Sequence, residues 1–153
     1  MQTSTIPTIK ARLVALIDAA LTVPVTYAWP GPDTAPECVF LGPHPATADL
    51  RIDVSSQIAT VKAGRKQRQE EYTVRVTVWT FRPELTSADA QICEERAFAL
   101  AVAVENILAD DPKLGLAVIQ YAEVSSVAST LFPFMSGWAC ELSVDVAVKA
   151  RLT

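Results

Sequence analysis

The sequence has few of the residues on which most catalytic and metal-binding motifs depend. Its 153 residues include a single histidine, three cysteines and five glycines. No CxxC or HxxxH pairing is present, so a zinc site would lack its usual ligand spacing. No GxSxG, Walker, GxGxxG or HExxH motif occurs, and so few glycines make a phosphate-binding loop unexpected. We therefore predict no catalytic residue, no cofactor and no metal ion.

Long apolar runs and an excess of positive charge are also missing. No stretch approaches the roughly 20 apolar residues of a membrane span, so no membrane partner is expected. Residues 1–20 interrupt their apolar positions with Lys10, Arg12 and Asp18, unlike a secretory leader. The formal net charge of -4 argues against a protein whose main function is to bind nucleic acid. With 50% hydrophobic residues, the chain is predicted to fold as one domain over 1–153, with residues 1–7 flexible.

The cysteines and the histidine are predicted to take no part in catalysis, in disulfides or in metal binding. Cys38, Cys93 and Cys140 are odd in number, widely spaced and flanked by hydrophobic residues. This pattern predicts small buried side chains and favours a reducing compartment over a disulfide framework. His44 lies in a Gly-Pro-His-Pro segment, which predicts a solvated loop side chain.

Hydrophobic periodicity predicts two helices and a set of strands. The first helix covers 8–21 with Thr8 as its cap, and the second begins at Thr86 or Ser87 and ends near Ala109. Extended segments are predicted at 25–29, 38–41, 71–81, 116–129 with a bulge at 125–126, and 138–151. Residues 46–62 are also predicted to be extended, although their alternation is less clear than in the other segments. Loops are predicted at 63–70 and 132–137.

The order of these segments predicts the fold class. Two helices cover only one face of a meandering, mostly antiparallel sheet, so the class is an α+β two-layer sandwich. Strands of about 12 residues span roughly 40 Å, about twice the usual strand length. Such strands leave an overhang that one domain does not easily cover.

Four groups of residues are candidates for contact with a partner. Arg65, Lys66 and Arg68 make the 63–70 loop basic in an acidic chain, as expected of either a solvated hairpin tip or a docking arm for an acidic surface or for DNA. Trp79 and Phe81 are either surface contacts or residues packed under the first helix or a proline loop. The other aromatic and aliphatic candidates are surface contacts. The complete candidate set is Gly64, Arg65, Lys66, Gln67 and Arg68; Trp79 and Phe81; Phe98 and Val102; Phe132 and Phe134.

The segment order resembles the tail terminator, or tail completion, proteins of long-tailed bacteriophages. The similarity is carried by LIDAALTVPVTYAWPGP, by the hairpin ATVKAGRKQRQEEYTVRVTVWTFRP, by the helix ADAQICEERAFALAVAVENILADDP and by the final CELSVDVAVKARL. It implies a non-enzymatic virion protein at the head-proximal end of the tail, assembled in the host cytoplasm. It also implies a homo-hexameric ring that stops tube polymerisation and contacts the major tail tube protein and a head-completion or connector protein. DNA would pass through its channel without specific binding, and an acidic lumen suits that passage.

Two other functions remain open from the sequence. One is a different head–tail joining or minor tail protein with a similar α+β layer. The other is a small-ligand-binding or enzymatic α+β domain, which requires a concave pocket with converging polar groups.

Overall fold

The computed structural model describes residues 4–32, 35–45, 54–55, 57–60 and 68–152. Most of the predicted 46–62 segment and residues Gly64–Gln67 lie outside this part of the chain. The elements are α1 (Ile6–Ala20), β1 (Val25–Thr26), β2 (Glu37–Leu41), β3 (Gln57–Thr60), β4 (Arg68–Arg82), α2 (Ser87–Asp110), β5 (Ile119–Phe134) and β6 (Gly137–Leu152).

The strands form a single sheet built around β4. The strand order is β1-β2-β4-β6-β5, and β3 pairs with β4 off this path. On one edge of β4, β3 pairs with the beginning of the strand and β2 pairs with its second half. On the other edge, β6 pairs with β4 along its full length. Only the β1–β2 pair is parallel in this sheet of described strands. The predicted α+β fold with a mostly antiparallel sheet is confirmed.

Alternate side chains of β4 and β6 build the main core between the sheet and the helices. Val74, Val76 and Val78 of β4 are buried, and they lie beside Val146, Val144 and Leu142 of β6 respectively. The buried side chains of both helices belong to the same cluster. Each buried Val or Leu contributes about 1.5–3 kcal/mol, so a shift of one residue in register would be strongly unfavourable.

α1 begins two residues earlier than predicted, because a distant carboxylate completes its N-terminus. Thr5, not Thr8, is the cap residue, and it is fully buried although the start of the chain was predicted to be flexible. The Thr5 backbone N–H and hydroxyl donate to Glu70 Oε2 of β4 at 2.8 and 3.0 Å. A negative charge at a helix N-terminus is favourable. The sequence predicts Glu70 in the loop 63–70, whereas β4 already begins at Arg68.

α2 agrees with its predicted boundaries to within one residue. Thr86 is the cap, and its hydroxyl accepts from the Asp89 backbone N–H at 3.1 Å. Asp89 in turn accepts from the Thr86 hydroxyl and pairs with Arg82 at 3.1 Å, and these contacts lower the pKa of the Asp89 carboxyl despite some desolvation. Helical spacing in the sequence predicts a buried stripe on this helix. All its members are buried except Ile107, which is half-buried; they are Cys93, Ala97, Leu100, Val104, Ile107 and Leu108.

The final hairpin is longer and tighter than predicted. β5 begins at Ile119 and continues to Phe134, and the predicted bulge appears as a register shift between Val124 and Ser126. The predicted 132–137 turn is wrong in extent, because only residues 135–136 form the turn. Gly137 lies so close to Arg82 that an added Cβ would be 1.9 Å from the Arg82 carbonyl oxygen. A glycine is therefore required where the hairpin end packs on β4.

Candidate interaction surface

β5 leaves one edge of the sheet open. Its 16 residues pair with β6, and no other strand of the described part of the chain pairs with it. Strands in globular proteins usually have about 5–6 residues, so this edge is long. An unpaired edge of this length presents a row of backbone donors and acceptors that another chain can pair with.

The side of α2 that faces this edge carries exposed apolar residues among its glutamates. Near its end, α2 and β5 enclose an open groove of about 500 Å³. The groove is lined by Glu105, Leu108, Ala109, Pro112, Ala122, Glu123 and Val124. Phe98 and Val102 precede Glu105 and Ala109 by seven residues, two turns of helix, so they lie on the same side of α2. We refer to Phe98, Val102 and Val127 together with this groove as the α2–β5 strip.

Val127 supplies the sheet side of the strip. It pairs with Val144 as Val124 pairs with Val146, so both β5 side chains point to the helix-covered face. Val127 is nevertheless 40% exposed, and Phe98 and Val102 are 42% and 50% exposed. The helix layer therefore leaves β5 partly uncovered beyond its bulge, in line with the overhang expected of such long strands. Phe98 and Val102 were among the sequence candidates, whereas Val127 and the groove were missed.

The other aromatic candidates lie on the opposite face of the sheet and pack on one another. Trp79 is only 4% exposed, and Phe81, Phe132 and Phe134 are half-buried beside it. Ring centroids of Trp79 and Phe134 are 5.3 Å apart at an interplanar angle of 87°. The alternative in which Trp79 packs under a proline loop is the one that the structure contains. Met135, in the turn of this hairpin, is 84% exposed.

His44 is the centre of this aromatic cluster, contrary to the predicted solvated side chain. Its ring stacks on Trp79 with centroids 3.7 Å apart and planes within 2°. Trp29, Phe40 and Phe134 surround it at 5.7–6.1 Å. His44 is 5% exposed, and burial lowers its pKa to about 4. It therefore acts as a neutral aromatic side chain that closes the proline-rich loop onto the sheet.

Of the basic loop candidates, Arg68 is described, and it lies at the far end of β4 from this cluster. β3 and β4 are antiparallel, with Thr60 opposite Arg68. Arg68 is the first residue of β4 and is half-buried, and it lies opposite Leu152 of β6. Gly64, Arg65, Lys66 and Gln67 lie outside the described residues.

The groups most suited to chemistry are engaged in structural contacts. Cys38, Cys93 and Cys140 are buried, as predicted, and desolvation raises the pKa of Cys38 and of Cys140 to about 12. A thiolate is the reactive form of cysteine, so these thiols are poor nucleophiles. The fully buried carboxylate of Glu70, which the sequence did not reveal, accepts from Ser4 and Thr5 at the start of α1.

Across the described ranges, no three His, Cys, Asp or Glu side chains converge on a possible metal position. No helix in those ranges has the length and apolar character needed to cross a membrane. The open hollow on the far face, lined by residues that include Ser55, Gln57 and Tyr121, is wide and polar. The α2–β5 strip is accordingly the surface whose composition most favours contact with another macromolecule.

Comparison with known families finds no match for this sequence, and neither does comparison with curated proteins. A chain of a gene transfer agent virion has the same fold. That structure is described as the virion of a native gene transfer agent particle. The match has a TM-score of 0.54 at 17% sequence identity, and it covers 94% of this chain and 91% of the other. At such identity the similarity establishes a shared fold.

Proposed function

We propose that this protein is a structural component of a virion, and specifically that it caps the tail tube of a phage-like particle. In this role it stops tube polymerisation and forms the tail's contact with the head connector, as a homo-hexameric ring. The observation that carries the proposal is the shared fold over 94% of the chain with a chain of a gene transfer agent virion. The segment order of the sequence points to the same class of protein.

Three features of this chain support a ring. The β5 edge and the α2–β5 strip leave apolar surface that a neighbouring subunit would cover. The net charge of -4 suits a channel through which DNA passes without sticking. The buried thiols and carboxylate described above have structural partners, which fits a protein that works by assembly. Localisation in the tail at its head-proximal end follows from the proposed role.

The test uses the purified protein and the tail tubes of the particle that contains it. We expect closed six-membered rings in negative-stain images and an arrest of tube growth when the protein is added to polymerising tube protein. A monomer at all concentrations that also fails to bind tube ends would contradict the proposal.

A second candidate is another head–tail joining or minor tail protein. The virion comparison favours it as well, because the shared fold is with a chain of a whole virion rather than of an isolated tail. Binding to isolated tails and to filled heads separates the two, since a tail-capping protein is expected to bind tail tubes in the absence of heads. Retention on filled heads alone would favour the head-joining role.

A further inference from the structure

We propose that Cys93 of α2 and Cys140 of β6 are a latent disulfide, which an organic disulfide such as oxidised glutathione closes to join the helix covalently to the sheet. Both cysteines are reduced in this structure. The inference goes beyond the proposed function and does not depend on it, because it follows from where the two side chains lie within one subunit.

The Cys93 sulfur lies over the junction between β4 and β6. It is 3.3 Å from the Thr80 hydroxyl oxygen, and it lies 3.4 and 3.6 Å from the backbone carbonyl oxygens of Thr80 and Trp138. The Thr80 hydroxyl donates to the Cys93 backbone carbonyl at 2.8 Å. These contacts hold the first third of α2 on two adjacent strands at once.

Cys140 shares this site. It is directly opposite Thr80 in the β4–β6 pair, where opposite Cβ atoms are about 4.5–5.5 Å apart and point to the same face of the sheet. Desolvation raises the pKa of the Cys93 thiol, and hydrogen bonds with the Thr80 side chain and the Cys140 backbone oppose that rise. Since a disulfide needs Cβ atoms about 3.5–4.5 Å apart, we expect a small shift of α2 toward β6 to suffice.

Cys38 has no such partner. It is as buried as the other two cysteines, but it belongs to the aromatic cluster on the opposite face of the sheet. Cys93 and Cys140 both belong to the main core under the helices. Because the sheet separates Cys38 from that core, the bond that the folded subunit favours is the one between Cys93 and Cys140.

Closure consists of two thiol–disulfide exchanges. The thiolate of one cysteine attacks oxidised glutathione, which forms a mixed disulfide and releases one reduced glutathione. The thiolate of the other cysteine then attacks the protein sulfur of that mixed disulfide, which forms the Cys93–Cys140 bond and releases the second. The two thiols lose two electrons and two protons, and the glutathione disulfide gains them.

Burial makes this reaction slow in both directions. Cys93 and Cys140 are 0% exposed, and desolvation raises the pKa of the Cys140 thiol to about 12, so exchange requires local opening of α2 from the sheet. Once closed, the bond is equally protected from reductants. In a particle that is assembled in the reducing cytoplasm and then released, as proposed above, it would fix α2 on the sheet after assembly.

The test exposes the folded protein to glutathione buffers with an increasing oxidised fraction. The remaining thiols are alkylated, and the cross-linked and alkylated peptides are identified by mass spectrometry. Cys38→Ala and Cys140→Ala are matched variants, since each removes one buried thiol, and circular dichroism checks that both are folded. The same buffers with urea give the pairing in the unfolded chain.

We expect one intrachain bond, between Cys93 and Cys140, in the original protein and in Cys38→Ala, and none in Cys140→Ala. The equilibrium constant for its formation should be at least about tenfold larger in the folded protein than in urea, because the fold holds the two thiols together. Three alkylated thiols in the folded protein, in buffers that oxidise the unfolded chain, would overturn the inference, and so would a bond to Cys38. Ring formation and tube capping are separate measurements, so either result leaves the proposed function standing.

Discussion

His44 makes the stability of this protein dependent on pH in a range where exposed histidines have little effect. Burial against Trp79 and three other rings favours the neutral imidazole and lowers the pKa of His44 from 6.5 to about 4. In the unfolded chain the imidazole gains a proton below about pH 6.5, whereas the folded protein resists protonation until about pH 4. Stability is therefore complete above pH 6.5, falls as the pH falls through this range, and levels off below about pH 4.

The magnitude follows from the two pKa values. Between about pH 7.5 and about pH 4.5, the linkage relation gives a loss of about 2.5 kcal/mol in the free energy of unfolding. Carboxylates such as Asp89 and Asp145, whose pKa values are lowered, add to acid destabilisation but do so equally in a variant at His44. His44→Phe keeps a ring of similar size without a titrating group, so it isolates the contribution of the imidazole.

The assay is urea unfolding followed by circular dichroism at both pH values, for the original protein and for His44→Phe. We expect the original protein to lose about 2.5 kcal/mol more than the variant on acidification. Equal losses in the two proteins would show that the neutral imidazole is not required in the cluster. That result would refute the account of how the proline-rich loop is held on the sheet.

Three further changes test other parts of the structure. Gly137→Ala should cost at least about 2 kcal/mol in urea unfolding, because its Cβ would overlap the Arg82 carbonyl oxygen; an unchanged midpoint would contradict that close approach. Leu100→Asp should prevent folding, since it buries an unpaired charge, whereas Phe98→Asp, at a side chain that is 42% exposed, should leave the protein folded with a smaller loss of thermal stability; equal losses in the two variants would contradict the assignment of Leu100 to the buried side of α2. Glu70→Gln should destabilise by about 1–3 kcal/mol through loss of a charged acceptor at α1, and no change would contradict the capping role.

Local patterns predicted the parts of the fold in which burial follows the period of the element. The alternation of Val74, Val76 and Val78 identified β4 and its buried face, and the spacing of Cys93, Ala97 and Leu100 identified the core side of α2. β4 and α2 pack against the core along most of their length, so the spacing of their apolar residues follows directly from which positions are buried. The Phe98–Val102 pair was recognised for the same reason, because two apolar residues stood on an otherwise acidic side.

Contacts between distant segments were not predictable in this way. The start of α1 depends on Glu70, which is 65 residues away from Thr5 along the chain. The burial of His44 depends on aromatic side chains from three strands and from the loop that follows β1. β5 shows no strict alternation of exposure beyond its bulge, because the helix layer does not reach it. Its end at Phe134 and the exposed Val127 were therefore missed.

The proposed ring limits the contacts that this chain can make with its neighbours. Each subunit of a ring presents two different surfaces to its two neighbours, so the contact is heterologous. The β5 edge and the α2–β5 strip are on the side of the sheet that would supply one of these surfaces. Repetition of such a contact gives a closed ring when the rotation per subunit divides a full turn, and an open filament when it does not. A cap that stops polymerisation requires closure. The assembly should consequently have one discrete size over a wide range of protein concentration, whereas sizes that grow steadily with concentration would contradict the proposed capping role.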